Sequence, residues 1–473
     1  MGWRLVVASL CAHLVLAGCA PSHVYRVPAA TAEHPCVVPV PADDVLVGVS
    51  MSGGGSRAAL FGAAGLQALG ELRTADGSSV LERVSHLSSV SGGSLAATYY
   101  VLNKPPRAIP VLAPDGAMTD PYRAFFARYT AVLGQNFERE LIRRQLTSLR
   151  WLNPALAGRS LAQVLEERLL GDATMLDLSR RQASGDSPGL IINTTLYNNG
   201  RRLAATTLPP ASFRYDFVGD LEQSLERQGR PAAIPPILKR RAELLLPMTP
   251  IDLGMDACAG LLAGWVTASA AFPPLVGPIS LRVGEQEIYW HVGDGGLYEN
   301  QGAESLLFLF LKQLQDRRIR RALLIAFDSS FPFSVGDRRL SQRAQPFTLR
   351  SFDFSRVPSI MEERATSYQA LFFNSLRLEG VFPGDDVLRV VPLRHIEAEW
   401  RPDLADLPGA CRGETPPLQS PAAVADRVAA IPTRLHVKSE CDRQLLAVAA
   451  AKLVARHRAR ILEFLDAGPA ARR

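Results

Sequence analysis

The residues of this chain most able to do chemistry are a serine and an aspartate, each set among glycines. Ser91 follows the strand-like run Val84–Val90 and precedes two glycines and a helical pattern. A sharp strand-to-helix turn of this kind displays a reactive hydroxyl, and the free N–H groups of the helix can stabilise negative charge. Asp294 ends another strand-like run, within Gly293-Asp294-Gly295-Gly296. This carboxylate is either a turn residue or an exposed proton acceptor.

A second segment has the same local design as the one around Ser91. Residues 50–54 and 89–93 both read Ser-x-Ser-Gly-Gly after a predicted strand, so the pattern alone leaves Ser52 and Ser91 as possible nucleophiles. The first segment adds a third glycine and then Arg57. Because consecutive glycines can wrap their N–H groups around an anion, we assign the oxyanion hole to this segment and the nucleophile to Ser91. The predicted oxyanion residues are Gly53, Gly54 and Gly55.

None of the eight histidines stands out as a base for Ser91. His86 lies on the strand that leads to Ser91, too close in sequence to turn back easily. His395, in His-Ile-Glu, lacks the C-x-x-C partner of a zinc deaminase. Three interpretations stay open: a Ser–Asp dyad, a Ser-His-Asp esterase that uses His291 or His395, and a non-catalytic envelope lipoprotein.

The glycine segment, the serine turn and Asp-Gly-Gly together resemble the patatin-like phospholipases, and they occur in that family's order over roughly residues 44–330. The resemblance implies a lipid acyl hydrolase of the phospholipase A or lysophospholipase kind, with Ser91 and Asp294 as its catalytic dyad. It implies membrane phospholipids or other acyl esters as substrates, and no cofactor or metal. The supporting positions of the family fall on Arg57, Gly93 and Gly295.

Two residues depart from the family's pattern. Ser89 replaces the first glycine of G-x-S-x-G, and Ser52 stands where many members have aspartate before the three glycines. Neither change removes a catalytic group, but the turn at Ser91 must form without its usual first glycine.

These residues need a scaffold of strands and helices. Continuous apolar runs alternate with helical patterns, which predicts an α/β sandwich with a largely parallel central sheet. Helical inserts interrupt the pattern at 120–185, and residues 205–250 are proline-rich; either stretch can form a lid or simply pack on the body. We expect residues 44–330 to form the catalytic domain and residues 331–473 to pack on it.

The N-terminus has the pattern of an exported lipoprotein. Arg4 precedes an apolar stretch too short to span a bilayer, and Leu16-Ala17-Gly18-Cys19 resembles a lipobox. The alternative is an ordinary secretory signal with a chance cysteine. The resemblance implies a signal peptide over 1–18, acyl chains such as palmitate on Cys19, and a bacterial outer-membrane location. Residues 19–43 are proline-rich and predict a tether that lifts the catalytic domain off the membrane.

The charge and the cysteines indicate which ligands and which disulfide bonds to expect. The net charge of +6 is spread over short basic runs without interleaved aromatics, so no nucleic-acid partner is predicted. No zinc spacing and no oxygen-rich calcium loop occurs. Four cysteines remain in an oxidising compartment and allow three full pairings; Cys411 and Cys441 bracket a proline-rich loop and could tie it to the C-terminal helix. The other two are Cys36 and Cys258.

Overall fold

The structure is a computed structural model. It describes residues 23–31, 35–41, 43–231, 233–258, 260–273, 276–285, 287–330 and 356–467. The strands are β1 Val24–Val27, β2 Val45–Met51, β3 Val84–Val90, β4 Gly189–Leu196, β5 Arg201–Thr206, β6 Ile279–Val283, β7 Tyr289–Asp294, β8 Arg321–Asp328 and β9 Leu388–Arg394.

Fourteen α-helices surround these strands in the described part of the chain. They are α1 Gly55–Gly70, α2 Gly92–Asn103, α3 Asp120–Leu133, α4 Phe137–Thr147, α5 Ala157–Leu165, α6 Met175–Ala183, α7 Phe217–Arg227, α8 Pro236–Leu245, α9 Leu262–Ser269, α10 Ala303–Gln315, α11 Arg356–Leu378, α12 Pro421–Ala429, α13 Glu440–Arg456 and α14 Arg458–Asp466.

One mixed sheet runs through the molecule. Its order is β1-β6-β7-β4-β3-β2-β8-β9, with β5 paired to β4. The five neighbours β4, β3, β2, β8 and β9 are mutually parallel, whereas β7 is antiparallel to both β4 and β6. The predicted α/β class with a largely parallel sheet is therefore confirmed.

Side chains that point alternately to the two faces of the sheet contribute to two hydrophobic cores, one on each face. On β2, Val47 and Val49 face a large core that includes residues of α1 and α2, while Leu46 faces a smaller core that includes residues of α10. Successive strand side chains point to opposite faces, so an uninterrupted apolar run is what a sheet covered on both sides requires.

The N-terminal segment is part of this body, which corrects the prediction of a tether over residues 19–43. β1 pairs in parallel with β6, and Val38 N–H donates to the carbonyl of Thr207 at 2.9 Å. A disulfide joins Cys36 to Cys258. Proline content and weak periodicity are typical of a linker. The tertiary partners of this segment lie more than 150 residues away in the sequence, and a local pattern of residues does not report such distant contacts. Residues 19–22 lie outside the described part of the chain.

The C-terminal third joins the same body. β8 and β9 extend the parallel sheet beyond β2, and α13 packs on α1. A second disulfide joins Cys411 to Cys441, which lies in the first turn of α13, as the sequence suggested. Within the described residues, no helix is long and apolar enough to cross a membrane.

Candidate active site

Ser91 lies at the tight turn between β3 and α2. Its backbone has φ 50° and ψ −118°, a conformation that non-glycine residues rarely adopt and that costs on the order of 1–3 kcal/mol. The turn is tight because α2 begins against neighbouring backbone. A Cβ on Gly92 would lie 1.9 Å from the carbonyl oxygen of Gly55, and one on Gly93 would lie 2.4 Å from that of Met51. Only glycine fits at these two positions.

Ser89 shows how the turn forms without the usual first glycine. It is an ordinary buried residue of β3, and the positive φ falls on Ser91 instead. Its hydroxyl donates to the carbonyl of Ile191 at 3.2 Å and accepts from Ser94 at 3.1 Å. The extra side chain is therefore hydrogen-bonded and does not obstruct the turn.

Asp294 reaches Ser91 through the register of three strands. Val90 pairs with Asn193, and β4 continues beyond that point to Leu196. β7 runs antiparallel along this extension, with Asp294 opposite Thr194. The end of β7 therefore lies beside the end of β3, and the Asp294 carboxyl is close enough to the Ser91 hydroxyl for that hydroxyl to lower its pKa.

The carboxyl of Asp294 is buried, with 3% of the residue exposed. Burial raises its pKa to about 7, while the hydrogen bond from the Gly296 N–H, at 2.7 Å, and the neighbouring Ser91 hydroxyl lower it. Desolvation outweighs the two donors because the charged form has lost its water. A carboxyl with a pKa near neutrality is suited to accept and return a proton.

The glycine segment lies directly across from this pair. A Cβ on Gly53 would lie 3.3 Å from the Cβ of Ser91. Gly54 and Gly55 have φ of 139° and 62°, which favour glycine. Among the described residues, the backbone hydrogen bonds outside helices and strands include none donated by the N–H groups of Gly54, Gly55 or Gly92. A helix N-terminus with free N–H groups is suited to bind an anion.

Gly53 differs from the other two predicted oxyanion residues. Its N–H donates to the carbonyl of Asn300 at 2.8 Å. The prediction that all three glycines offer a free donor is therefore wrong at Gly53. Asn300 lies in the segment after Asp294, and nothing in the local pattern of either segment indicates that they meet.

Ser52, the competing nucleophile, is held by backbone groups. Its hydroxyl accepts from the N–H of Ser329 at 2.6 Å and donates to the carbonyl of Gly53 at 3.0 Å. The side chain therefore joins the end of β8 to the glycine segment.

Arg57 is one of the largest fully buried side chains. Its guanidinium donates to the carbonyl of Ser329 at 2.8 Å and to that of Ile431 at 2.6 Å. Burial lowers its pKa to about 10, so it stays charged at neutral pH. Arg57 ties the start of α1 to β8 and to the C-terminal region. Gly295, another predicted supporting residue, lies where a Cβ would be 2.4 Å from the carbonyl oxygen of Asn193.

The two histidines considered as bases have other partners. His291 Nδ1 lies 2.9 Å from the hydroxyl of Ser280. His395 is buried against Phe61, and its Nδ1 lies 3.4 Å from the carbonyl of Asp328. In the portion of the chain that is described, no histidine is hydrogen-bonded to Ser91 or Asp294. Likewise, none of the described His, Cys, Asp and Glu side chains form a group of three that could hold a metal ion.

Sequence reasoning assigned no role to Ser269, at the end of α9. Its hydroxyl accepts from the N–H of Ser91 at 2.9 Å and donates to the carbonyl of Asn193 at 2.7 Å. Ser94 also lies 2.9 Å from it. Ser269 thus holds the strained turn from the far side. Its surroundings, Ala-Ser-Ala-Ala, resemble a family segment, but the contact itself has no local signature.

Comparison with known proteins gives one family and several distant structures. A family model described as patatin-like phospholipase matches residues 49–307. Human GIVD cytosolic phospholipase A2 is 13% identical with a TM-score of 0.46, over 90% of this chain and 60% of that chain. Its complex with methyl gamma-linolenyl fluorophosphonate is 16% identical, with a TM-score of 0.39 over 89% and 59%. VipD from Legionella pneumophila is 12% identical, with a TM-score of 0.25 over 75% and 62%.

This chain therefore spans less than two thirds of the length of the solved chains that it resembles. No significant match was found among curated proteins.

Proposed function

This chain belongs to the patatin-like phospholipase family, and from that premise we propose that it hydrolyses carboxylic esters of lipids with a dyad of Ser91 and Asp294. The observation that carries the proposal is that the strand register places the Ser91 hydroxyl beside a buried carboxyl whose pKa is raised to about 7. A nucleophilic serine needs a base within hydrogen-bond reach. Asp294 meets that need without a histidine.

The chemistry follows from these positions. Asp294 accepts the proton of the Ser91 hydroxyl as its oxygen attacks the ester carbonyl, and returns the proton to the leaving alcohol. Water then attacks the acyl-enzyme and gives a proton to Asp294, which passes it to the Ser91 oxygen as the bond to the acyl group breaks and the fatty acid leaves. The strained backbone of Ser91 holds the oxygen exposed at the turn and needs no movement during the cycle.

The N–H groups of Gly54, Gly55 and Gly92 stabilise the oxyanion of both tetrahedral intermediates. They belong to the starts of two helices, α1 and α2. Loss of one such donor typically costs about 10²–10³ in rate. The Gly53 N–H serves instead to hold the glycine segment against Asn300.

We also propose the bacterial envelope as the location, with Cys19 acylated and the protein on the outer membrane. The support is the sequence Leu16-Ala17-Gly18-Cys19 with Ala20 after it. Phospholipids would then lie beside the enzyme. Mass spectrometry of the N-terminal peptide of membrane-extracted protein tests this, since acylation adds a defined mass to a peptide that begins at Cys19.

The proposed reaction is tested with Ser91→Ala and Asp294→Asn. We expect both variants to fold and to lose at least about 10³-fold of the fatty-acid release that mass spectrometry detects from mixed phospholipids. His291→Ala is the control, and we expect it to keep wild-type activity. Loss of activity in His291→Ala or in His395→Ala would contradict the dyad and favour a Ser-His-Asp esterase. Failure of a fluorophosphonate to label wild-type Ser91 would favour a non-catalytic lipoprotein.

A further inference from the structure

Four large apolar side chains are exposed on one short stretch of the chain, at the end of α4 and in the turn after it. Ile142 and Leu146 lie one helical turn apart and are 52% and 57% exposed. Leu149 and Trp151 are 63% and 56% exposed. The start of the same helix is fixed to the core by the buried side chain of Phe137. We refer to the four exposed residues as the apolar patch.

The backbone at the centre of the apolar patch is itself unusual. Leu149 has φ 56° and ψ 16°, the left-handed region, which costs a leucine roughly 1–2 kcal/mol. Glycine or asparagine normally occupies such a position. The chain therefore keeps a large apolar side chain on the surface at an energetic disadvantage.

Cations lie beside the apolar patch. Arg150 donates to Gln163 at 2.7 Å, and burial followed by the charges of Arg159 and Arg144 lowers its pKa. Arg144 forms an ion pair with Glu167. Among the described residues, no acid lies within ion-pair distance of Arg150 or Arg159. Such a cluster of like charges attracts an anion from outside the chain.

The first described residues of the chain lie at the same place. Burial lowers the pKa of His23, and the nearby charges of Arg159 and Arg150 lower it further. Cys19 is four residues earlier, a distance that an extended chain covers in at most about 14 Å. Acyl chains on Cys19 would therefore hold this face close to the membrane.

An apolar cavity of about 240 Å³ is lined in part by His23 and Arg159, and the four residues of the apolar patch lie outside its lining. Its lining includes Tyr25, Arg159, Glu166, Trp265 and Ala268. A cation at the edge of an apolar cavity suits a molecule with an anionic head and a hydrocarbon chain. This favours lipid over a protein segment as the occupant of the surface.

We propose that the apolar patch, together with Arg150 and Arg159, docks on a lipid bilayer that carries anionic headgroups. The apolar side chains enter the interfacial region while the arginines contact phosphate groups. The surface is distinct from the active site, and docking is a binding event in which Ser91 takes no part.

The helix that carries the apolar patch also contacts a residue that lies beside the active site. Glu138, in the first turn of α4, lies 3.7 Å from the guanidinium of Arg434. The carbonyl of Arg434 accepts the N–H of Ser56 at 2.7 Å, next to the glycine segment. The helix that carries the apolar patch is therefore linked through Arg434 to the start of α1.

The test measures vesicle binding by the full chain with Cys19→Ser and Ser91→Ala, so that neither acylation nor hydrolysis contributes. Binding to phosphatidylcholine–phosphatidylglycerol vesicles is followed by co-sedimentation. We expect Leu146→Ala/Leu149→Ala/Trp151→Ala to weaken binding by about 10-fold or more, since each side chain loses apolar area buried in lipid. We expect Arg159→Gln to reduce the preference for phosphatidylglycerol over pure phosphatidylcholine vesicles.

The matched control removes similar apolar area from α8. Ile237, Leu238 and Leu244 are 53%, 48% and 44% exposed, and their triple alanine variant should bind as the parent does. Equal effects of the two triple variants, or no effect of either, would overturn the proposal. A dimer of the parent protein in ultracentrifugation that is lost only in the patch variant would also overturn the proposal. A second copy of the chain, and not lipid, would then cover the apolar patch.

A second measurement leaves the fold untouched. Brominated lipids should quench the fluorescence of the parent protein more than that of Trp151→Phe. Equal quenching in the two proteins would overturn the proposal even if the triple variant proved unstable.

Discussion

At the scale of single residues, the environment of Asp294 determines how the proposed reaction depends on pH. The carboxyl must be ionised to accept the proton of Ser91, and its pKa is about 7 because it is buried. We expect the rate of Ser91 labelling by a fluorophosphonate to rise with pH through about 7 and to level off above about 8. The labelling rate is measured at pH values from 5 to 9. A rate that does not change with pH over that range would contradict the role of Asp294 as the base.

The same burial predicts that replacement of Asp294 stabilises the protein at alkaline pH. Because the folded-state pKa lies above the ordinary value of 3.8, this carboxyl favours folding below about pH 4, and the effect is lost as pH rises through 7. Asp294→Asn should therefore raise the free energy of unfolding at pH 8 by up to about 4 kcal/mol relative to its effect at pH 4. Urea denaturation at the two pH values measures the difference. A difference of zero would mean that the carboxyl is not desolvated.

At the scale of elements, the packing of α2 against α1 depends on glycine. Gly92→Ala would place a Cβ 1.9 Å from the backbone of Gly55, and backbone cannot yield as a flexible side chain can. We expect a loss of stability of at least about 1–3 kcal/mol together with loss of esterase activity.

Gly264 in α9 provides the control for this substitution. It is also a helical glycine, but no heavy atom lies within 4 Å of the position that a Cβ would take. Gly264→Ala should therefore stabilise the protein by about 0.5–1 kcal/mol through helix propensity. Thermal denaturation compares the two variants, and equal melting temperatures would refute the close approach of α1 and α2.

At the scale of the whole molecule, the two disulfides act on different regions. The Cys411–Cys441 bond closes a loop that includes Ile431 and Arg434. Their carbonyls bind Arg57 and the N–H of Ser56, which begin α1 beside the oxyanion donors. Cys36–Cys258 instead fixes the N-terminal segment to the stretch that precedes α9.

Removal of each disulfide should therefore have a different effect on activity. We expect both double serine variants to lose about 2–4 kcal/mol of stability. Only Cys411→Ser/Cys441→Ser should also slow the labelling of Ser91 under conditions where the protein stays folded. Equal labelling rates for the two variants would show that the C-terminal loop does not support the site.

Sequence alone determined the fold class and the local geometry around the proposed catalytic residues. Apolar runs and glycine-rich turns report on nearest neighbours in the chain, so a Ser-x-Gly turn and Asp-Gly-Gly are visible without tertiary information. The family match over residues 49–307 agrees with that resemblance. The catalytic roles of Ser91 and Asp294, and acylation of Cys19, stay predictions.

Only the tertiary structure decided how these pieces meet. The contact of Ser91 with Asp294 depends on the register of β3, β4 and β7, which are about 100 residues apart in sequence. Two further contacts join residues that are distant in the sequence. Ser269 accepts a hydrogen bond from the N–H of Ser91, and the carbonyl of Asn300 accepts one from the N–H of Gly53. The N-terminal segment resembled a linker because its partners are distant. Such contacts are set by the packing of non-consecutive elements, which no local pattern of residues records.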